Sequence, residues 1–402
     1  MSCTRGVGMI VFTYPGQGSQ FSGMGTSWLN HPSWELIEEA SDATKVDLAD
    51  LLLNADDDLL RETQNAQLAT FVLSMLILDA VERLGLDSTG HAGHSLGEYS
   101  ALTASGALDF FDAARLVNIR GNAMKNAIEE NPGTMAAVLG LPEADVENLC
   151  AEIDGEVWVA NYNSPGQLVI AGTNSALEKA SDLAREMGAK KVTRLSVAGA
   201  FHTPLMNSAR TELLEAIEST DIRPPSGIVV ANVDGMAHEN PETWRALLSA
   251  QLCSPVRWTQ SLGTLLSMNF STFIEIGPGK VLTGLTKRTE PNTKRLNVNE
   301  PNDLDQLLDL IAPTSSTEND SGLGHEGEHL FSTDRLVVSP SAGLFKPERN
   351  LEIGQKISNG ELIGHVGNIE IHSPFSGELM GWIAVTEERL AASQPIAWLR
   401  VT

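Results

Sequence analysis

Apolar and polar positions along this chain alternate between strand-like runs and helical spacing. Met9-Ile10-Val11-Phe12-Thr13-Tyr14 is a continuous apolar run, the pattern of a strand buried on both faces. It leads straight into Pro15-Gly16-Gln17-Gly18-Ser19-Gln20, a glycine-rich loop of the kind that frees backbone N–H groups for a ligand. Helical spacing follows over residues 34–43, 56–63 and 68–84. Residues 109–130 are predicted as one long helix with an apolar stripe at Phe110, Ala114, Val117 and Met124, and Arg120 falls off that stripe. From 134 to 197 the order changes to strand (135–139), helix (143–153), two strands (157–161, 167–172), helix (175–188) and strand (192–197). That βαββαβ order is the ferredoxin-like arrangement and marks an inserted subdomain over residues 133–202. A helix at 205–219, a strand at 228–233 and a helical stretch at 244–260, broken at Ser254-Pro255, come next. A buried strand at 272–276 ends in Gly277-Pro278-Gly279-Lys280 before a last helix.

The texture loosens beyond residue 300. Residues 303–311 fit an amphipathic helix, and 313–328 are rich in Ser, Thr, Gly, Asn and Glu, so 303–330 is expected to be a helix followed by a flexible linker. An internal repeat then appears. Val338-Ser339-Pro340-Ser341-Ala342-Gly343-Leu344 recurs as His372-Ser373-Pro374-Phe375-Ser376-Gly377-Glu378, which predicts a small pseudo-symmetric all-β sandwich over 331–402.

Composition narrows the function classes. The chain has 402 residues, 42% hydrophobic and 20% charged, enough for a large core and more than one domain. A formal net charge of −25 argues against nucleic acid or an anionic membrane surface as partner. Cys3, Cys150 and Cys253 are too few and too far apart for a disulfide frame or a zinc site, and suit a reducing compartment. No secretory signal pattern opens the chain, and the apolar helical run from 68 to 81 is too short to span a bilayer. A cytoplasmic protein is the expectation.

Gly93-His94-Ser95-Leu96-Gly97 spells G-x-S-x-G. In a nucleophile elbow this pattern seats a serine on a tight strand-to-helix turn, and the following helix aims its N-terminal N–H groups at the serine. A glycine-rich turn with an N-cap serine reads the same way, and Asp87-Ser88-Thr89-Gly90-His91-Ala92 is a poor strand by composition. A serine nucleophile also needs a base and oxyanion donors. Among nine histidines, His202 stands out in the irregular stretch Gly199-Ala200-Phe201-His202-Thr203-Pro204.

The PGQGSQ loop, Gly93-His94-Ser95-Leu96-Gly97-Glu98-Tyr99-Ser100, Arg120-Gly121, Ala160-Asn161-Tyr162-Asn163-Ser164-Pro165-Gly166-Gln167, Phe201-His202, Gln251 with Pro255-Val256-Arg257-Trp258, and Gly277-Pro278-Gly279-Lys280-Val281-Leu282 occur in one order across residues 9–302. Taken together they resemble the malonyl-CoA:acyl carrier protein transacylase family. The resemblance implies an α/β-hydrolase-like core carrying a ferredoxin-like subdomain. It implies Ser95 as nucleophile, His202 as general base, and Gln251, by carbonyl or side chain, as the group orienting the imidazole. Backbone N–H groups of Gln17 and Leu96 would form the oxyanion hole, and Arg120 would bind the malonyl carboxylate. Gln64, Asn161 and Asn163 would line the pocket, and Phe201 would favour malonyl over methylmalonyl. The implied reaction moves malonyl from malonyl-CoA to acyl carrier protein for fatty acid synthesis, with no metal and no cofactor; supply of a polyketide pathway is the alternative. A serine hydrolase and a non-catalytic scaffold are the other classes weighed, and the complete set of Ser95, His202 and Arg120 favours the transferase.

Acyl carrier protein is acidic, so docking on this acidic chain needs a local basic patch. Lys190, Lys191 and Arg194 supply one candidate, and Lys280, Lys287 and Arg288 a second. Residues 331–402 resemble a biotinyl/lipoyl carrier domain, but the hairpin tip Gly364-His365-Val366-Gly367-Asn368 holds no lysine to modify. A docking or assembly role is the expectation for that module.

Overall fold

The computed structural model describes residues 9–311 and 334–400, apart from 342, 349–350, 352, 359, 374–375, 387 and 391–393. The expected linker at 313–328 lies outside the described residues, as do Cys3 and parts of both repeat turns. The chain divides into two compact units, Met1–Ser315 and Ser316–Thr402.

In the first unit, strands β1 (Met9–Tyr14) and β2 (Gly90–Gly93) are separated by helices α1 (Glu35–Thr44), α2 (Leu48–Leu53), α3 (Asp57–Arg61) and α4 (Thr63–Glu82). Then come α5 (Gly97–Ala104), α6 (Phe110–Glu130), β3 (Thr134–Leu139), α7 (Glu143–Glu152), β4 (Val157–Ser164), β5 (Gln167–Gly172), α8 (Asn174–Glu186) and β6 (Lys191–Arg194). The chain returns through α9 (Asn207–Ser219), β7 (Ile228–Val230), α10 (Pro241–Gln251), α11 (Trp258–Ser267), β8 (Phe270–Ile276), α12 (Val281–Thr289), β9 (Lys294–Val298) and α13 (Asp305–Ile311).

β7-β2-β1-β8-β9 form an all-parallel sheet. Its two faces are both buried, as a parallel sheet requires. Phe12 and its register partner Ile274 enter one apolar cluster, with Trp28, Phe71 and Trp244. Val11 and its partner Phe273 enter another, with Trp258 and Leu262. The strand alternation therefore feeds two cores, one per face.

The segment expected to be a poor strand is the second strand of this sheet. β2 is Gly-His-Ala-Gly, buried throughout and hydrogen-bonded between β1 and β7. Its glycines are there for clearance. A Cβ on Gly90 would overlap the Phe270 ring, and one on Gly93 would overlap the Gly97 backbone. His91 has a place too. Its Nδ1 lies 3.2 Å from the Tyr14 hydroxyl, and burial lowers its pKa to about 4, so it packs as a neutral ring.

The long apolar helix also differs from expectation. α4 runs 20 residues, enough by length to cross a bilayer, but 83% of its apolar window is buried in the protein. Burial on all sides, with Gln67, Thr70 and Ser74 inside, identifies it as a core helix. The helical stretch at 244–260 is two helices, α10 and α11, separated at the expected Ser254-Pro255 break.

β4-β5-β3-β6 make an all-antiparallel sheet, joined in βαββαβ order, with Val138, Val146, Leu149, Leu168, Ile170 and Leu177 in its own core. Among its described residues, the second unit holds two four-stranded antiparallel sheets. The first is β10 (Asp334–Val338), β17 (Pro395–Arg400), β15 (Gly377–Trp382) and β12 (Lys356–Ile357). The second is β14 (Ile369–His372), β13 (Leu362–Val366), β11 (Gly343–Pro347) and β16 (Arg389–Leu390). Phe345, Ile363, Leu379 and Ile396 share one core. Ser339 and Ser373, equivalent in the repeat, are both buried, and β13 turns into β14 at Gly367, whose φ is +61°.

Candidate active site

β2 ends at Gly93 and α5 begins at Gly97, so Ser95 sits on the turn between strand and helix with φ +53°. His202 also lies in the left-handed region, at φ +61°. Each such non-glycine residue costs of order 1–3 kcal/mol, held by the surrounding fold.

The two strained residues face each other. Ser95 Oγ is 2.8 Å from His202 Nε2. On the far side of the ring, Nδ1 is 2.9 Å from the Gln251 backbone carbonyl, which can only accept. Nδ1 therefore carries the proton, and Nε2 is free to accept from the serine hydroxyl. Burial, then the Arg120 charge, lowers the His202 pKa to about 3, so the imidazole is neutral.

Arg120, which falls off the apolar stripe of α6, is 1% exposed. The buried face of α6 is wider than the stripe and takes in Ala113, Leu116 and Ala127 beside Arg120, so the residue is buried rather than solvated. Its Nη2 donates to Ser95 Oγ at 3.2 Å and to Gln251 Oε1 at 2.9 Å, and Nη1 donates to Gln67 Oε1 at 2.5 Å. Nε has no partner, so the guanidinium keeps a buried donor unused.

Gln251 divides its work. Its carbonyl orients the imidazole, and its side chain holds Arg120 through Oε1 and donates from Nε2 to the Ser95 carbonyl at 3.0 Å and to the Glu98 carboxylate. Asn232 brackets the serine turn: its Oδ1 accepts the Ser95 N–H at 2.6 Å and its Nδ2 donates to the Gly93 carbonyl at 2.7 Å.

A pocket of about 220 Å³ opens on Ser95 and His202, with Gln17, Asn161, Asn163 and Phe201 among its walls. Asn163 Oδ1 is 2.9 Å from His94 Nε2. Leu96 is buried beneath Ser95 at the start of α5. Gln64 is not among the lining residues. Its backbone packs where Gly121 would carry a Cβ, its amide turns to Glu62, and Gln67, one turn further along α4, reaches Arg120 instead. Sequence reasoning missed Gln67, Glu98 and Asn232. Glu98 stood in the quoted G-H-S-L-G-E run, whereas a polar residue inside an apolar helix was the one available sign for Gln67. Among the described residues, no group of acidic, His and Cys side chains could hold a metal ion.

An α/β fold that sets a serine and a neutral imidazole at one pocket, with a buried guanidinium hydrogen-bonded to the serine, is that of an acyltransferase. Residues 11–300 match the acyl transferase domain family, and the chain belongs to it. The malonyl CoA-acyl carrier protein transacylase of Bacillus subtilis is 39% identical over 317 residues, covering 78% of this chain and 99% of that protein. The crystal structure of an acyl-carrier-protein S-malonyltransferase from Burkholderia pseudomallei aligns with TM-score 0.73 at 38% identity, over 75% of this chain and 99% of the other. A malonyl-transacylase in complex with its type II PKS acyl-carrier protein aligns with TM-score 0.73 at 36% identity, over 75% and 99%. The family match ends before the C-terminal unit.

Proposed function

We propose that this chain transfers malonyl from malonyl-CoA to the phosphopantetheine thiol of acyl carrier protein through a malonyl ester on Ser95. One observation carries the reading: the Ser95–His202–Gln251 carbonyl relay lies within hydrogen-bond reach of a buried, incompletely paired arginine. A guanidinium in that state suits a carboxylate, which it can fork with two parallel bonds.

In the first step Ser95 Oγ attacks the thioester carbonyl carbon while its proton passes to His202 Nε2. The carbonyl oxygen becomes an oxyanion, received by the N–H groups of Gln17 and Leu96. The C–S bond breaks, and His202 returns the proton to the CoA sulfur. In the second step the pantetheine thiol gives its proton to His202 and attacks the ester. The C–O bond breaks, and the proton goes back to Ser95. Arg120 holds the malonyl carboxylate throughout. Asn161 and Asn163 line the acyl pocket, and the Phe201 ring leaves little room for a methyl branch.

Lys190, Lys191 and Arg194 run up to the pocket-lining Leu195, and Lys280 directly precedes the pocket-lining Val281, with Lys287 and Arg288 on the same helix. All six are exposed, so they offer an acidic carrier a basic rim beside the pocket. A fatty acid pathway is the first reading. The relative seen with a type II PKS acyl-carrier protein keeps a polyketide pathway as the second.

The same reading divides the chain into a transferase domain at 9–302, with an α/β-hydrolase-like core and a ferredoxin-like insert at 133–202, then a helix and linker at 303–330. A carrier-like β module at 331–402 lacks the modifiable lysine and serves docking. We assign the protein to the cytoplasm, on its acidic charge and sparse cysteines.

Mass spectrometry after incubation with malonyl-CoA tests the mechanism. A malonyl adduct on the Ser95 peptide, absent from Ser95→Ala and discharged by acyl carrier protein bearing its thiol, is expected. A wild-type enzyme without that adduct would overturn the reading.

A further inference from the structure

Glu98 is fully buried in the first turn of α5 and does not itself line the pocket. An ionisable group in that place needs both oxygens satisfied, and both are. Oε1 accepts the Asn232 N–H at 2.6 Å, and Oε2 accepts from Gln251 Nε2. Neither partner is incidental to the chemistry. Asn232 clamps the turn that carries Ser95, and Gln251 holds Arg120 and His202.

We propose that Glu98 is a positioning residue of the transfer reaction: its carboxylate fixes the direction of the Gln251 amide and thereby aims Arg120 at the acyl carboxylate. A primary amide has a donor end and an acceptor end. With Nε2 turned toward an acceptor-only carboxylate, Oε1 must face the guanidinium, where it receives Nη2. The flipped amide would set oxygen against carboxylate and NH2 against guanidinium, unfavourable at both ends. Removing the carboxylate removes the charged acceptor that holds the orientation and leaves Nε2 only the Ser95 carbonyl. His202 is insulated from that loss, because its acceptor is the Gln251 backbone carbonyl.

This inference rests on the proposed malonyl transfer, and its signature is selectivity. Glu98→Gln keeps the size of the side chain but offers the amide a donor where only an acceptor stood. Arg120 then loses a partner and its aim. The expected result is a rise in KM for malonyl-CoA with kcat little changed. Ser95 loading by acetyl-CoA, which needs no arginine, stays near wild type. The malonyl-to-acetyl ratio therefore falls about 10-fold. In an Arg120→Met background the same change has no further effect on malonyl loading. Equal losses for both acyl groups, or an unchanged ratio, would overturn the proposal.

The wild type provides a second measurement that needs no variant. Burial raises Glu98 to about 7, opposed by the Asn232 N–H, the Gln251 amide and Arg120, and reinforced by Asp234. Tyr99 on the same helix, pushed up to about 12, and neutral His202 do not titrate near there. The malonyl-to-acetyl ratio should rise with pH through about 7, and taking the ratio cancels ionisation of the CoA phosphates. A flat ratio from about pH 5.5 to 8.5 would also overturn it. Absence of any wild-type malonyl adduct would instead remove the transferase reading and leave this geometry unaddressed by kinetics, with the thermal stability of Glu98→Gln against wild type reporting the network directly: a stability equal to wild type at pH 8 counts against a working carboxylate.

Discussion

Replacing Arg120 by methionine separates the two effects its charge has on the site. Met is unbranched and fills most of the buried volume without a charge. The acyl carboxylate then loses a charged, forked hydrogen bond, worth about 1.5–3 kcal/mol, or about 10- to 150-fold in malonyl kcat/KM. The second effect runs the other way. After burial, the Arg120 charge is the largest influence holding His202 down to about 3. Without it the imidazole is a stronger base, so loading of an acyl group that lacks a carboxylate should hold steady or rise. In the proposed mechanism a bound malonyl carboxylate would neutralise Arg120 and strengthen His202 in the same way, so the right substrate would improve its own base. Rapid-quench measurement of Ser95 ester formation from malonyl-CoA and acetyl-CoA, read by intact mass, checks both arms. Parallel losses for the two acyl groups would refute the electrostatic half of the argument, and an undiminished malonyl rate would refute the carboxylate half.

Gly93→Ala would drive a methyl group into the backbone of Gly97, so it should lower the melting temperature sharply or prevent folding, read by thermal melts and soluble yield. His91 has a folded pKa of about 4 against 6.5 in the free side chain, so the unfolded chain binds the extra proton. Stability is fully present above about pH 6.5 and is lost as pH falls toward 4, by up to roughly 3 kcal/mol from this residue. His202 adds its own share, and His91→Phe should flatten part of the acid limb in melts between about pH 7 and 4; an unchanged slope would count against the buried neutral ring.

The sequence is legible where one physical rule dominates. Apolar periodicity marks α4 and α6, and strand alternation marks the βαββαβ segment, because burial alone sets those patterns. β2 escapes composition. Its glycines are chosen for clearance from Phe270 and Gly97, and a propensity scale reads the same glycines as a turn. Arg120 escapes periodicity for a related reason. The buried face of α6 is wider than the apolar stripe, and a single sequence does not distinguish a polar residue buried on its flank from a solvated one. Glu98, Asn232 and Gln67 act through bonds to residues 53 to 153 positions away, so their neighbours in the chain do not name the partner each one serves. Ser95 and His202 are each tied to a local backbone requirement, a positive φ within an irregular turn, whereas Arg120 inside a helix carries no such mark. The support around them is assembled only by the fold.

The acceptor that orients His202 is a main-chain carbonyl, and that has an evolutionary consequence. No codon change at position 251 deletes it. Only a displacement of the end of α10 would move it, and the buried packing of Trp244 and Leu248 on that helix resists displacement. The side chain at 251 meets residue 120 through separate bonds, which a substitution there would change together with those to Ser95 and Glu98. Base orientation and acyl selectivity are therefore separable under mutation: a lineage can retune which acyl group it accepts while its proton-transfer geometry is carried forward unchanged by the backbone.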